Sequence, residues 1–250
     1  MTGNEKHPAI VIQDLRKAFG NQKVLNGISL QVADGETVAV IGRSGGGKSV
    51  LLKLLIRLHM PDSGSVRIAD QEITKLDEKQ LNDVRKKIGF LFQQAALYDS
   101  LTVEENVRFP LSRHTKMPAQ EQTKRVRELL ADVAMDRDLE KLPSQISGGM
   151  QKRVGLARAL ALDPAILLFD EPTAGLDPIT AAEIGKLIVE LKHKRRMSAI
   201  VVTHDVHGAK AYSDRMVLLH NGSIQAEGSF DELQSSKDEF VARFFGYGLR

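Results

Sequence analysis

The sequence predicts an α/β fold, a sheet covered by helices with a helical segment inserted into it, and three observations carry that prediction. Apolar runs at residues 38–41, 166–169 and 199–202 are short and continuous rather than alternating, as in strands buried on both faces of a sheet. Between 179 and 194 the apolar residues Ile184, Leu187, Ile188 and Leu191 share one helical face, so the last two runs and this helix form a βαβ unit. From about 95 to 146 the pattern is helical and charge-rich, punctuated by Pro110, Pro118 and Pro143, with no strand candidate. The expected organisation is one domain over residues 1–250: an α/β core at 1–94 and 147–250, a helical insert at about 95–146 and a tail at about 238–250.

Of the 250 residues 42% are apolar, enough for a buried interior. Charged residues make up 27%, and a formal net charge of +3 gives no ground for binding nucleic acid or an anionic membrane surface. The basic run Lys192, His193, Lys194, Arg195, Arg196 falls at a predicted helix end, where cations meet the negative end of the dipole. Cysteine is absent, which removes disulfides, thiolate metal sites and cysteine nucleophiles and agrees with a reducing compartment. The N-terminus lacks the apolar stretch of a signal peptide, and no apolar run approaches the roughly 20 residues that cross a bilayer. A cytoplasmic chain is expected, its membrane role, if any, reached through another chain.

Gly42, Arg43, Ser44, Gly45, Gly46, Gly47, Lys48 and Ser49 match the phosphate-loop pattern, with the required strand before and helix after. Glycines let the backbone turn its N–H groups inward on an anion, Lys48 supplies a point charge, and the Ser49 hydroxyl can ligate magnesium. Asp170 and Glu171 end the second apolar run, where a parallel sheet collects its ligands. Asp170 is expected in the magnesium shell, and Glu171 is expected to orient and deprotonate the attacking water.

Weaker signals accompany these. Ser147, Gly148, Gly149 and Met150 open a helix as a second anion site, although such a start is also ordinary capping. His204 follows the third run and could reach a γ-phosphate. Phe19, near an early strand end, reads equally as core or as a face for adenine stacking. The stretch Thr74, Lys75, Leu76, Asp77 resembles a guanine-specificity motif but comes too soon after the phosphate loop to serve as one. Phe240, Phe244 and Tyr247 form an aromatic stripe on a short terminal helix, expected to pack on its own domain, with docking on a second subunit or accessory protein as the alternative.

In this order and spacing the motifs resemble the ABC transporter ATPase family over residues 10–228. The resemblance implies a P-loop NTPase core of ABC type with an antiparallel β subdomain and an inserted α-helical subdomain. It makes Phe19 the adenine-stacking aromatic, Gln93 the Q-loop glutamine and a magnesium ligand, and residues 147–150 the signature toward the opposite subunit's nucleotide. It makes Asp177 the D-loop acid and His204 the switch histidine. The signature reads Ile-Ser-Gly-Gly-Met rather than Leu-Ser-Gly-Gly-Gln, and Phe19 stands where tyrosine is commoner; neither change removes a phosphate-contacting group. It further implies ATP and Mg2+, a homodimer with two composite sites, and a separate integral membrane permease at the cytoplasmic face of the inner membrane. A finer resemblance, in residues 92–98, 147–150 and 177–180, is to the Mla/Mce-type lipid transport ATPases, with an Mce-domain lipid-binding protein and a small accessory subunit as further partners. Amino-acid importers and lipoprotein-release systems stand as alternatives. A soluble ABC ATPase of DNA repair or translation is disfavoured, since the chain has one cassette, no long coiled coil and no zinc cysteines.

Overall fold

The computed structural model describes residues 8–247 and contains two sheets. β1 (Pro8–Phe19), β2 (Gln22–Ala33), β4 (Ser63–Ile68) and β5 (Gln71–Glu72) form an antiparallel sheet of order β2-β1-β4-β5. β3 (Thr37–Ile41), β6 (Ile88–Leu91), β7 (Ile166–Asp170), β8 (Ser198–Thr203), β9 (Arg215–His220) and β10 (Ser223–Gly228) form the second, of order β10-β9-β3-β8-β7-β6. All its pairings are parallel except that of β10 with β9.

Successive strand residues face opposite sides. In β3, Val38 and Val40 enter one core while Ala39 and Ile41 enter the other; β7 and β8 divide in the same way. A sheet buried on both faces needs an apolar residue at every position, which explains the unbroken runs. One face is covered by α1 (Lys48–Leu55) and by the antiparallel sheet through Ile10, Ile12, Leu15 and Ile28. The other is covered by α5 (Gly148–Ala159), α6 (Pro178–Arg195) and α7 (Val206–Tyr212). The α/β core, the antiparallel subdomain and the helical subdomain follow the expected class.

Residues 95–146 hold α3 (Val103–His114) and α4 (Ala119–Asp132), whose Val103, Val107, Leu111, Val126, Leu129 and Leu130 pack into the core that α5 shares. Thr102 and Glu105 form a capping box that starts α3. Pro110 does not punctuate, as the sequence suggests; it lies inside α3. The Thr74–Asp77 stretch serves the start of α2 (Glu78–Arg85), which Asp77 caps reciprocally with Gln80. Three residues of the basic run form ion pairs: Lys192 with Asp214, Lys194 with Asp132 at 2.6 Å, and Arg195 with Asp132 and Asp163 at 3.0 and 2.9 Å.

The terminal stripe needs correction. In α9 (Glu239–Tyr247) the buried residues are Val241, Phe244 and Phe245, packed in the same core as Phe230 and Leu233 of α8 (Phe230–Gln234). Phe240 is 42% exposed, with its ring 4.7 Å from His220, so the inward face is turned one residue from the one expected. The Tyr247 side chain lies outside the described residues. No helix among those residues is long and apolar enough to cross a membrane.

Candidate nucleotide site

Four motif segments leave the parallel sheet at its C-terminal edge: 42–49 after β3, Gln93 after β6, Asp170 and Glu171 at the end of β7, and His204 after β8. Register aligns them, with Ile41 opposite Thr203, Asp170 opposite Val202 and Leu91 opposite Phe169. This edge is where open α/β sheets hold ligands.

The phosphate loop turns into α1 through Gly47, at φ +93°. A Cβ there would meet Leu25 and Val24 at 2.9 and 3.0 Å, so both conformation and space demand glycine. Lys48 is buried, and its ammonium donates to the carbonyls of Gly42 at 2.9 Å and Arg43 at 3.2 Å. It also lies 3.5 Å from Glu171 Oε1. Ser49 Oγ donates to Asp170 Oδ1 at 2.6 Å. Hydroxyl and carboxylate are hard donors close enough to serve one cation, and with Gln93 lining the same cleft as Ser49 the set fits Mg2+ bound mainly through substrate phosphates.

Glu171 is 8% exposed and has φ +48°, an uncommon backbone state for a residue with a Cβ. Its Oε2 accepts from the His204 backbone N–H at 3.3 Å and lies 2.9 Å from His204 Nδ1. With Lys48 on one oxygen and His204 on the other, the carboxylate is aimed across the mouth of the loop. A cleft of 320 Å³ gathers Ser44, Gly45, Gly46, Gly47, Lys48, Ser49, Gln93, Glu171 and His204. A wider groove of 800 Å³ between α6 and α7 reaches His204 but none of the phosphate loop, so converging polar groups, not size, mark the site.

The remaining candidates stand apart from this cleft. Ser147 caps α5, accepting from the Met150 N–H at 3.3 Å, and Met150 packs against the core. Gly148 lines a separate 500 Å³ cleft with Gln93 and Leu176. Asp177 caps α6, accepting from the Ile179 and Thr180 N–H groups and from Thr180 Oγ1 at 2.6 Å; bonds from Thr180 hold its carboxyl below the usual range. Phe19 ends β1 at the hairpin tip, 44% exposed, its ring edge-on to His59 at 5.4 Å. Exposure removes the core reading. Phe19→Ala is expected to leave the thermal midpoint within a few degrees and to weaken ATP binding by about 1 kcal/mol, roughly fivefold in Kd, read by titration with a fluorescent ATP analogue.

One buried group escaped sequence reading. Lys152 is 4% exposed, and its ammonium donates to the carbonyls of Gln93 and of Glu171, the latter at 3.1 Å. Burial pulls it down to about 8, opposed by the nearby Asp170 and Glu171 carboxylates. The available signal was a charge among small and apolar residues on a helix's inward side, Gly149 before it and Leu156 after it.

A phosphate loop, two strand-end carboxylates and a histidine at one edge of a parallel sheet define a nucleotide-binding cassette. Residues 25–174 match the family described as ABC transporter, and the chain belongs to that family. It is 42% identical over 221 residues to the methionine import ATP-binding protein MetN of Brucella abortus (strain 2308), covering 88% of this chain and 60% of that protein. The chain thus spans only part of the length of these relatives. It is 40% identical over 242 residues to the probable ribonucleotide transport ATP-binding protein mkl of Mycobacterium leprae (strain TN), covering 97% of this chain and 70% of that protein. Among solved structures it resembles the dimeric ATP-binding cassette MJ0796 bound to ADP and Pi, with TM-score 0.81 and 35% identity over 88% of this chain and 98% of that one. It also resembles cbiO1 from Clostridium perfringens, part of the ABC transporter complex cbiONQ, with TM-score 0.84 and 28% identity over 96% of each chain.

Proposed function

We propose that this chain is the ATP-hydrolysing subunit of an ABC transporter, working as a homodimer on a separate permease at the cytoplasmic face of the membrane. The supporting observation is the Glu171 carboxylate, held by Lys48 and His204 at the mouth of the phosphate loop. In this reading residues 42–49 cradle the phosphates and Lys48 pairs with the outer ones. Glu171 takes a proton from a water whose oxygen attacks the γ-phosphorus in line; the bond to the β–γ bridging oxygen breaks, and ADP and phosphate leave. His204 orients Glu171. Mg2+, held by Ser49, Asp170 and Gln93, would neutralise charge on the phosphate oxygens.

The phosphate loop and Gly148 of the signature line different clefts of one chain, which favours completing each nucleotide site with the signature of a second copy, residues 147–150 across from 42–49. The surface formed by Gln93 to Pro110 would then be the part that meets the permease. Its exposed edge carries a 460 Å³ cleft lined by Phe90, Phe92, Tyr98, Phe109 and Pro110. Buried Asn106 anchors the adjoining loop, accepting from the Tyr98 N–H and donating to the carbonyls of Tyr98, Leu101 and Thr102. Single cysteines at Tyr98, Asp99 and Ser100 are expected to crosslink to a polytopic permease; crosslinks confined to other faces would reject this surface.

For cargo, the similarity to the methionine import protein supports the amino-acid importer alternative better than phospholipid. The resemblance of residues 92–98, 147–150 and 177–180 to Mla/Mce-type ATPases supports lipid transport as a second reading. The complex purified from detergent-extracted membranes separates them. A periplasmic amino-acid receptor without lipid supports import, and an Mce-domain protein with copurifying phospholipid supports the second reading.

A further inference from the structure

We infer that Lys152 is a positioning residue that ties the signature helix to the proposed general base and to the Q-loop, an inference that rests on the hydrolysis reading above. An ammonium buried to 4% exposure is costly unless its donors are satisfied. Lys152 spends two of its three on the carbonyls of Gln93 and Glu171, 59 and 19 residues away. Both belong to residues whose side chains line the nucleotide cleft. Among the described residues no other side chain bridges them.

The same helix grips the Q-loop at two further points. Gly155, one turn after Lys152, brings α5 so close that a Cβ would meet Leu91 Cδ1 at 2.9 Å and Ala95 Cβ at 3.1 Å. Arg158 donates to the carbonyls of Ala95 at 2.6 Å and Ala96 at 2.7 Å, and both alanines are left-handed, at φ +58° and +50°. Glu171 is left-handed too, and its carbonyl is the one Lys152 engages. Three positions in strained backbone states are thus held by two cations of one helix, whose first residues are the signature. A shift of α5 when residues 147–150 meet a partner's nucleotide therefore moves Glu171 and Gln93 in its own chain. Lys152 acts through their backbones and does not itself line the cleft of the phosphate loop.

Lys152→Met and Lys152→Gln have similar side-chain volumes, but only the amide can still donate. The expected order of kcat is wild type, then Gln, then Met, with Met at least about tenfold below wild type and the KM for ATP within about threefold in both. Amide hydrogen exchange of the full chain without nucleotide is expected to quicken at 93–96 and 171–174 in the Met variant. That readout does not need turnover, so a wild type that released no phosphate would reject the hydrolysis reading while exchange still decided the role of Lys152. Equal kcat for wild type and the Met variant, unchanged exchange in those segments, or a Met variant that fails to fold beside a Gln variant at the wild-type rate would each overturn the inference.

Discussion

Glu171→Gln is expected to bind ATP with near wild-type affinity and to lose turnover by at least about 100-fold, with ATP-bound dimers accumulating on size exclusion. The amide keeps the shape of the carboxylate but cannot take the proton of the attacking water. The surroundings let the substitution act on chemistry rather than on folding. The contact with the His204 backbone N–H needs only an acceptor oxygen, which glutamine retains, and the main-chain bond from the residue 171 N–H to Val202 O at 2.9 Å does not involve the side chain. What is lost is the charge opposite Lys48. Turnover within a few-fold of wild type would remove Glu171 as the general base.

Lys48→Ala is expected to act one step earlier, raising the Kd for ATP by roughly 10- to 100-fold and leaving phosphate release undetectable, because charge-assisted bonds to phosphate are worth about 1.5–3 kcal/mol. The substitution also frees the carbonyls of Gly42 and Arg43, which the ammonium holds in place, so the loop loses its brace together with its charge. Isothermal titration separates the two variants: heat of binding survives in Glu171→Gln and fades in Lys48→Ala. A Lys48→Ala protein that bound ATP normally would place the phosphates elsewhere.

Much of this site is legible in the sequence because its requirements are local. Gly42 through Ser49 announces a loop whose backbone must turn sharply, and Asp170 and Glu171 end a run that only a doubly buried strand explains. The antiparallel sheet is less legible. β1 pairs with β2 through several register shifts, with Asp14 at φ +44°, so its alternation is interrupted and only the family resemblance pointed to it. Lys152 was missed because its meaning depends on carbonyls far away along the chain, and the carbonyl of any residue looks the same in a sequence. The tail shows the converse: Phe240, Phe244 and Tyr247 have helical spacing, but Val241 and Phe245 join Phe244 on the inward face, where α8 offers Phe230 and Leu233, and Phe240 is left exposed.

Two copies of this chain are expected to hydrolyse ATP together, in sites each built from one copy's phosphate loop and the other copy's signature. Gly148→Asp is suited to test it, since a Cβ at Gly148 meets only Leu176 Cδ2, at 3.7 Å, so the change fits its own chain while setting a carboxylate against the partner's phosphates. Neither Gly148→Asp nor Lys48→Ala is expected to release phosphate alone. Mixed in equal amounts, half of the dimers carry one of each, and in these one site combines an intact loop with an intact signature. Steady-state phosphate release by that mixture is expected to recover to about a quarter of the wild-type rate if the sites act independently. A mixture of folded variants no more active than either one alone would contradict the composite site.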